Sequence, residues 1–137
     1  MNMNSSYKPE VTVFYCINAF NEKAALAISK KGAVRLKYVK MACSSMVKDI
    51  FILKAFESGS DGVIVFVCPE DTCRYTEGSI RAAKRVARVK GILNEIGIGS
   101  ERLSIFNTLP GNTEAIEKNL RETTARLVEK GPLFSAD

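Results

Sequence analysis

The sequence predicts an α/β fold: one domain, a four-stranded parallel sheet with helices on both faces, and a flavodoxin-like strand order of 2-1-3-4. Three observations predict it. Short β-branched runs alternate with longer stretches of helical period. The joints between them are short and carry Ser, Asn, Gly or Pro. The chain has 137 residues, 46% of them apolar and 26% charged, which suits a single buried core. Strand-helix-strand units of this kind make parallel sheets with right-handed crossovers. The preferred order places the most apolar strands centrally.

Each element has its own signal. Residues 1–10 are polar and read as an N-terminal extension, 11–132 as the domain and 133–137 as a tail. Val11 to Cys16 (VTVFYC) reads as a buried first strand. Glu22 to Lys31 reads as a helix stopped by Gly32. Arg35 to Cys43 begins with alternation and reads as the second strand. Ser44 and Ser45 are good caps for a helix from Met46 to Glu57, closed by Gly59. Gly62 to Cys68 is continuously apolar, as expected of a central strand covered on both faces. Pro69 to Gly78 resembles a turn, after which Ser79 caps a long helix to about Ile96, ended by Gly97 and Gly99. Leu103 to Leu109 is a fourth strand, and Asn112 caps a last helix that ends at about Lys130 before Gly131 and Pro132.

Several function classes are disfavoured at once. The chain contains no His, which excludes Ser-His-Asp and Cys-His nucleophile pairs, His-bearing zinc sites and a His general base within it. No apolar run nears the roughly 18 residues of a membrane span, and no secretory signal is expected at the polar start. A reducing, cytoplasmic setting follows as an expectation, in which cysteines serve as metal ligands, redox groups or core filler rather than disulfides. The residues after the first strand, Ile17 to Phe20, lack the Gly-rich turn that cradles a phosphate, so flavin or dinucleotide binding is not expected. The net charge of +5 suits an acidic partner. Nucleic acid is not expected, because aromatics are only 8% and do not interleave with the basic run.

The four cysteines carry the functional argument. Cys16, Cys43 and Cys68 are each expected at the last position of a strand, and Cys73 in the loop after the third. Carboxyl ends of parallel strands share one edge, where open α/β sheets place their ligands. Core filler would scatter instead. Four thiolates without His support an all-cysteine zinc site or an iron–sulfur cluster. Structural zinc favours two tight Cys pairs, whereas here only Cys68 and Cys73 are close. A site assembled from separate strands favours redox work. Cys43, expected just before a helix, would have its thiolate stabilised by the helix dipole. Pro69, Glu70, Asp71 and Thr72 would form a rim over the site, and Glu70 and Asp71 read as solvated rather than catalytic.

The stretch from Phe56 to Ser79 resembles the delta-subunit family of methyl-viologen-reducing hydrogenases. The likeness rests on Ala55-Phe56, Gly59, Asp61-Gly62-Val63, Cys68, Cys73, Tyr75 and Gly78. Met41 to Ser44 and Ile92 to Leu103 are similar to further segments of that family, and the likeness spans about Val11 to Pro132. The resemblance implies one [2Fe-2S] cluster on Cys16, Cys43, Cys68 and Cys73, with no substrate site. It implies electron relay between a hydrogenase or formate dehydrogenase and the flavin of a heterodisulfide-reductase A-type subunit, in a hetero-oligomeric complex. The family opens on a C-x-x-C pair, of which Cys16 remains while Ala19 takes the second place. Val67, Arg74 and Ser79 also depart from its Gly, His and Asn. The alternative is a cluster-less or four-cysteine zinc adaptor that docks redox subunits.

One further feature points to a partner. Arg81, Lys84, Arg85 and Arg88 fall at i, i+3, i+4 and i+7 and read as one cationic helix face. Ala83, Val86, Val89, Leu93 and Ile96 are expected to pack on the sheet. Either the basic face is solvated or it docks an acidic neighbour.

Overall fold

The computed structural model describes residues 9–17, 19–21, 35–41, 47–68, 78–109 and 111–131. Four strands, β1 (Glu10–Cys16), β2 (Arg35–Met41), β3 (Gly62–Val67) and β4 (Leu103–Asn107), form one sheet in the order β2-β1-β3-β4. All three pairings are parallel. The expected order 2-1-3-4 is therefore the observed one. β1 and β3 are central, and every residue of β3 is buried. Their unbroken apolar runs are what a strand covered on both faces requires.

Three helices are described: α1 (Asp49–Glu57), α2 (Gly78–Glu95) and α3 (Thr113–Lys130). Val11, Val13, Tyr15, Ile64 and Phe66 pack with Ile116, Leu120 and Leu127 of α3 on one face of the sheet. Phe14, Val63, Val65 and Val67 pack with Ile52 and Phe56 of α1 and with Val86, Val89 and Leu93 of α2 on the other. Each such side chain, fully buried, stabilises the fold by about 1.5–3 kcal/mol. The helix expected over Glu22 to Lys31 lies outside the described residues, as do Ser44 and Ser45.

Boundaries differ from expectation in instructive ways. α1 begins at Asp49, not at Met46, and its N-cap is Lys48 rather than a serine. Lys48 is extended, with φ −120° and ψ 153°, and makes no side-chain capping bond. Val47 is buried in the core, and its carbonyl accepts from the Arg85 guanidinium at 3.0 Å. Ser79 lies inside α2, which starts at Gly78. Ala82 rather than Ala83 faces the core, since 82, 86, 89 and 93 trace the true helical stripe, and Ile96 is 60% exposed beyond the helix end. A 3-10 turn, Ser100–Arg102, precedes β4, which stops at Asn107 rather than Leu109. Asn112 caps α3 as expected, its side chain accepting from the Ala115 N–H at 3.2 Å.

The amino edge of the sheet is closed by polar groups. The Glu10 N–H donates to the Asp61 carboxylate at 2.9 Å, and the Asp61 N–H donates to the Glu10 carbonyl at 2.7 Å. Arg102 is buried and donates to the carbonyls of Asp61 at 2.9 Å and Gly131 at 3.1 Å. The opposite edge carries Cys16 and Cys68.

Candidate functional site

Cys16 is the last residue of β1, paired with Met41 of β2, and is 1% exposed. The chain turns at once: the Ala19 N–H donates to the Cys16 carbonyl at 2.9 Å, and the Ile17 N–H to the Met41 carbonyl at 3.0 Å. Ala19 is wholly buried. Phe20 follows it into the core, its ring 4.8 Å from Tyr15 and 4.9 Å from Phe66.

Cys68 is 2% exposed and lies directly after β3, which ends at Val67, one residue earlier than expected. The end of β4 holds both turns. The Thr108 N–H donates to the Val67 carbonyl at 2.9 Å, the Asn107 side-chain amide to the Cys68 carbonyl at 3.1 Å, and the Thr108 hydroxyl to the Ala19 carbonyl. Cys16, Ala19 and Cys68 thus belong to one buried cluster, which also contains Tyr15, Phe20 and Phe66. Neither thiol is in a disulfide. Asn107 and Thr108 carried no sequence signal beyond their place at a strand end.

Two thiols converging on one edge, in apolar surroundings, are half of the sulfur donor set that an all-cysteine metal site requires. Their chemistry fits such a group. Cys43 and Cys73 lie outside the described residues, as do Pro69 to Thr72 and Tyr75. Among the described residues, no three His, Cys, Asp or Glu side chains gather as a metal site. The helix dipole expected to act on Cys43 is displaced, because α1 starts only at Asp49.

The basic face of α2 is divided. Arg88 bridges to the Asp49 carboxylate at 2.9 Å, and Arg85 is bound to the Val47 carbonyl, so both hold the start of α1. Arg81 and Lys84 are exposed. Among the described residues, no helix is long and apolar enough to cross a membrane.

The parallel sheet and the thiols at its carboxyl edge define a domain of the α/β class with a candidate metal centre. The chain matches the methyl-viologen-reducing hydrogenase delta subunit family over residues 11–131, and it belongs to that family. It is 29% identical over 130 residues to the iron-sulfur subunit of the vhu F420-non-reducing hydrogenase of Methanocaldococcus jannaschii, covering 90% of this chain and 94% of that one. The iron-sulfur subunit of the F420-non-reducing hydrogenase of Archaeoglobus profundus is 31% identical over 105 residues, 75% of this chain and 77% of that one. A different kind of relative is the A-type subunit of the ferredoxin/F(420)H(2)-dependent CoB-CoM heterodisulfide reductase of Methanosarcina acetivorans. It is 29% identical over 138 residues, covering 96% of this chain but only 17% of that longer protein.

Proposed function

We propose that this chain is an electron-transfer subunit carrying one [2Fe-2S] cluster on Cys16, Cys43, Cys68 and Cys73. It relays electrons between a hydrogenase or formate dehydrogenase and the flavin of a heterodisulfide-reductase A-type subunit, within a cytoplasmic hetero-oligomeric complex. The observation that carries this reading is the meeting of Cys16 and Cys68 in one buried cluster at the carboxyl edge. The names of the relatives support it, since one kind is the iron-sulfur subunit of a hydrogenase and the other belongs to a heterodisulfide reductase.

When bound, such a cluster supplies a one-electron couple whose potential follows its net charge, its hydrogen bonds and its exposure to solvent. The chain's own residues supply the setting. Strand ends fix the two described sulfurs, and Phe20, Tyr15 and Phe66 keep water away from them. Asn107 and Thr108 hold the two turns in register. Arg81 and Lys84, exposed on α2, together with the flanks of Arg85 and Arg88, form the basic surface offered to an acidic neighbour.

Anaerobic purification tests the reading. The expected product is brown, absorbs in the visible and gives an EPR signal on one-electron reduction. Cys68→Ser and Cys73→Ser should each abolish or strongly alter that signal. A colourless protein holding zinc, or no metal, would instead establish the adaptor.

A further inference from the structure

A second feature of the surface is unlike the rest. A groove of about 380 Å³ runs between β2 and α1. Its floor is Phe14 and Met41, both buried, and its open walls are Val39 and Phe51. Val39 is 37% exposed and Phe51 48%, with Ile50 beside it at 54%. α1 has nine residues, and it turns Ile50 and Phe51 outward while Ile52 and Phe56 fill the core. Large apolar side chains gathered at one concave place mark an interaction site.

Charge decides the occupant. The charged residues that line the groove are Lys37, Lys40 and Lys54, and no described carboxylate lines it. The nearby Asp49 carboxylate is already neutralised by Arg88. A second copy of the chain, brought face to face, would set these lysines against each other. The floor hydroxyls of Thr12 and Ser60 bond to one another at 2.6 Å, so they do not call for a polar small molecule. The groove is concave, whereas a lipid surface is met by a protruding apolar group.

We propose that this groove seats an acidic segment of a partner subunit, with an apolar side chain between Val39 and Phe51 and carboxylates against Lys37, Lys40 and Lys54. The proposal rests on the reading of this chain as one component of a larger redox complex. An apolar centre inside a charged rim is the usual anatomy of such an interface, with the rim setting association rate and salt sensitivity. The relative that is over five times longer shows that a domain of this kind also occurs covalently joined to further polypeptide.

The test is photo-crosslinking in the native cells, using the full chain with Phe51→benzoylphenylalanine, and Ile96→benzoylphenylalanine as a remote control. The expected product at position 51 joins the chain to a peptide of another subunit, rich in Asp or Glu around an apolar residue. The triple variant Lys37→Glu, Lys40→Glu, Lys54→Glu should retain at least tenfold less of that subunit on purification, whereas Lys→Arg at the same positions should retain it. All three lysines are exposed, so a native circular dichroism spectrum is expected. Crosslinks only to a second copy or to lipid, no crosslink in an assembled complex, or full retention by the triple variant would each overturn the proposal. The visible spectrum of the same samples separates it from the cluster assignment. A brown chain without the crosslink overturns the groove alone, and a colourless chain with it overturns the cluster alone.

Discussion

The Thr108 hydroxyl donates to the carbonyl oxygen of Ala19, 89 residues earlier in the chain. That bond ties the end of the last strand to the turn that carries Cys16. Both residues are buried, so water cannot replace the donor if it is lost. Thr108→Val keeps the shape and removes the donor. It should cost about 1–3 kcal/mol, the usual penalty for an unsatisfied buried acceptor. Thr108→Ser should recover most of it. Urea unfolding of the three proteins measures the difference, and equal midpoints for Val and wild type would show that the bond contributes nothing.

Ala19 holds the place of the second cysteine of the family's opening pair. It is wholly buried beside Cys16, with its N–H on the Cys16 carbonyl. Ala19→Cys adds one sulfur atom to a filled cluster, so it should fold with a loss of about 1–3 kcal/mol. The EPR signal of the proposed cluster should persist. A folded variant that no longer assembles iron would count against the Cys16–Ala19 correspondence.

Gly62 opens β3 under α3. A Cβ built there would lie 2.5 Å from Leu127 Cδ1 and 3.3 Å from the Arg102 carbonyl oxygen. Leu127 is fully buried, and the Arg102 backbone is fixed at the start of β4, so neither yields freely. Gly62→Ala should destabilise by about 1–3 kcal/mol. Leu127→Ala, destabilising alone, should lose less in the Gly62→Ala background, because it clears the clash. A double-mutant cycle reads the coupling, and strict additivity would show that Leu127 does not restrain position 62.

Arg81 and Arg85 face different tasks despite their spacing. Arg85→Met removes a charged donor from the Val47 carbonyl and should cost about 1.5 kcal/mol of stability. Arg81→Glu with Lys84→Glu should leave stability within about 0.5 kcal/mol, since both side chains are exposed. The second variant should instead weaken complex assembly and change its salt dependence. Thermal unfolding and co-purification across a salt series distinguish the two. Equal stability losses in both variants would show that the face acts as one structural unit.

These contrasts show where the sequence was legible. Unbroken apolar runs marked β1 and β3 because both are covered on two faces, and their centrality set the strand order. Asn112 and Gly131 marked the ends of α3 because caps are local chemistry. The start of α1 was not legible. Two serines offered better caps than Lys48, but the bonds from Arg85 and Arg88 to Val47 and Asp49 come from a helix far along the chain. At the site, Cys16 and Cys68 were readable from strand ends. Asn107 and Thr108 were not, because their partners are carbonyls on other strands. The groove was equally hidden, since outward Ile50 and Phe51 look in sequence like two more core residues.

The placement of β1 between β2 and β3 has a kinetic consequence. Glu10 and Asp61, which meet at the amino edge, are 51 residues apart, so one flank of β1 has to wait for β3 to be synthesised. Until then VTVFYC is an apolar, uncharged segment with no Gly or Pro, the composition that also favours cross-β stacking between chains. Parallel pairings of such separation form slowly and leave partly folded chains prone to self-association. Soluble yield of this protein is therefore governed by how quickly β3 reaches β1, and slower synthesis at low temperature, with less nascent chain present at once, favours the native sheet over aggregates.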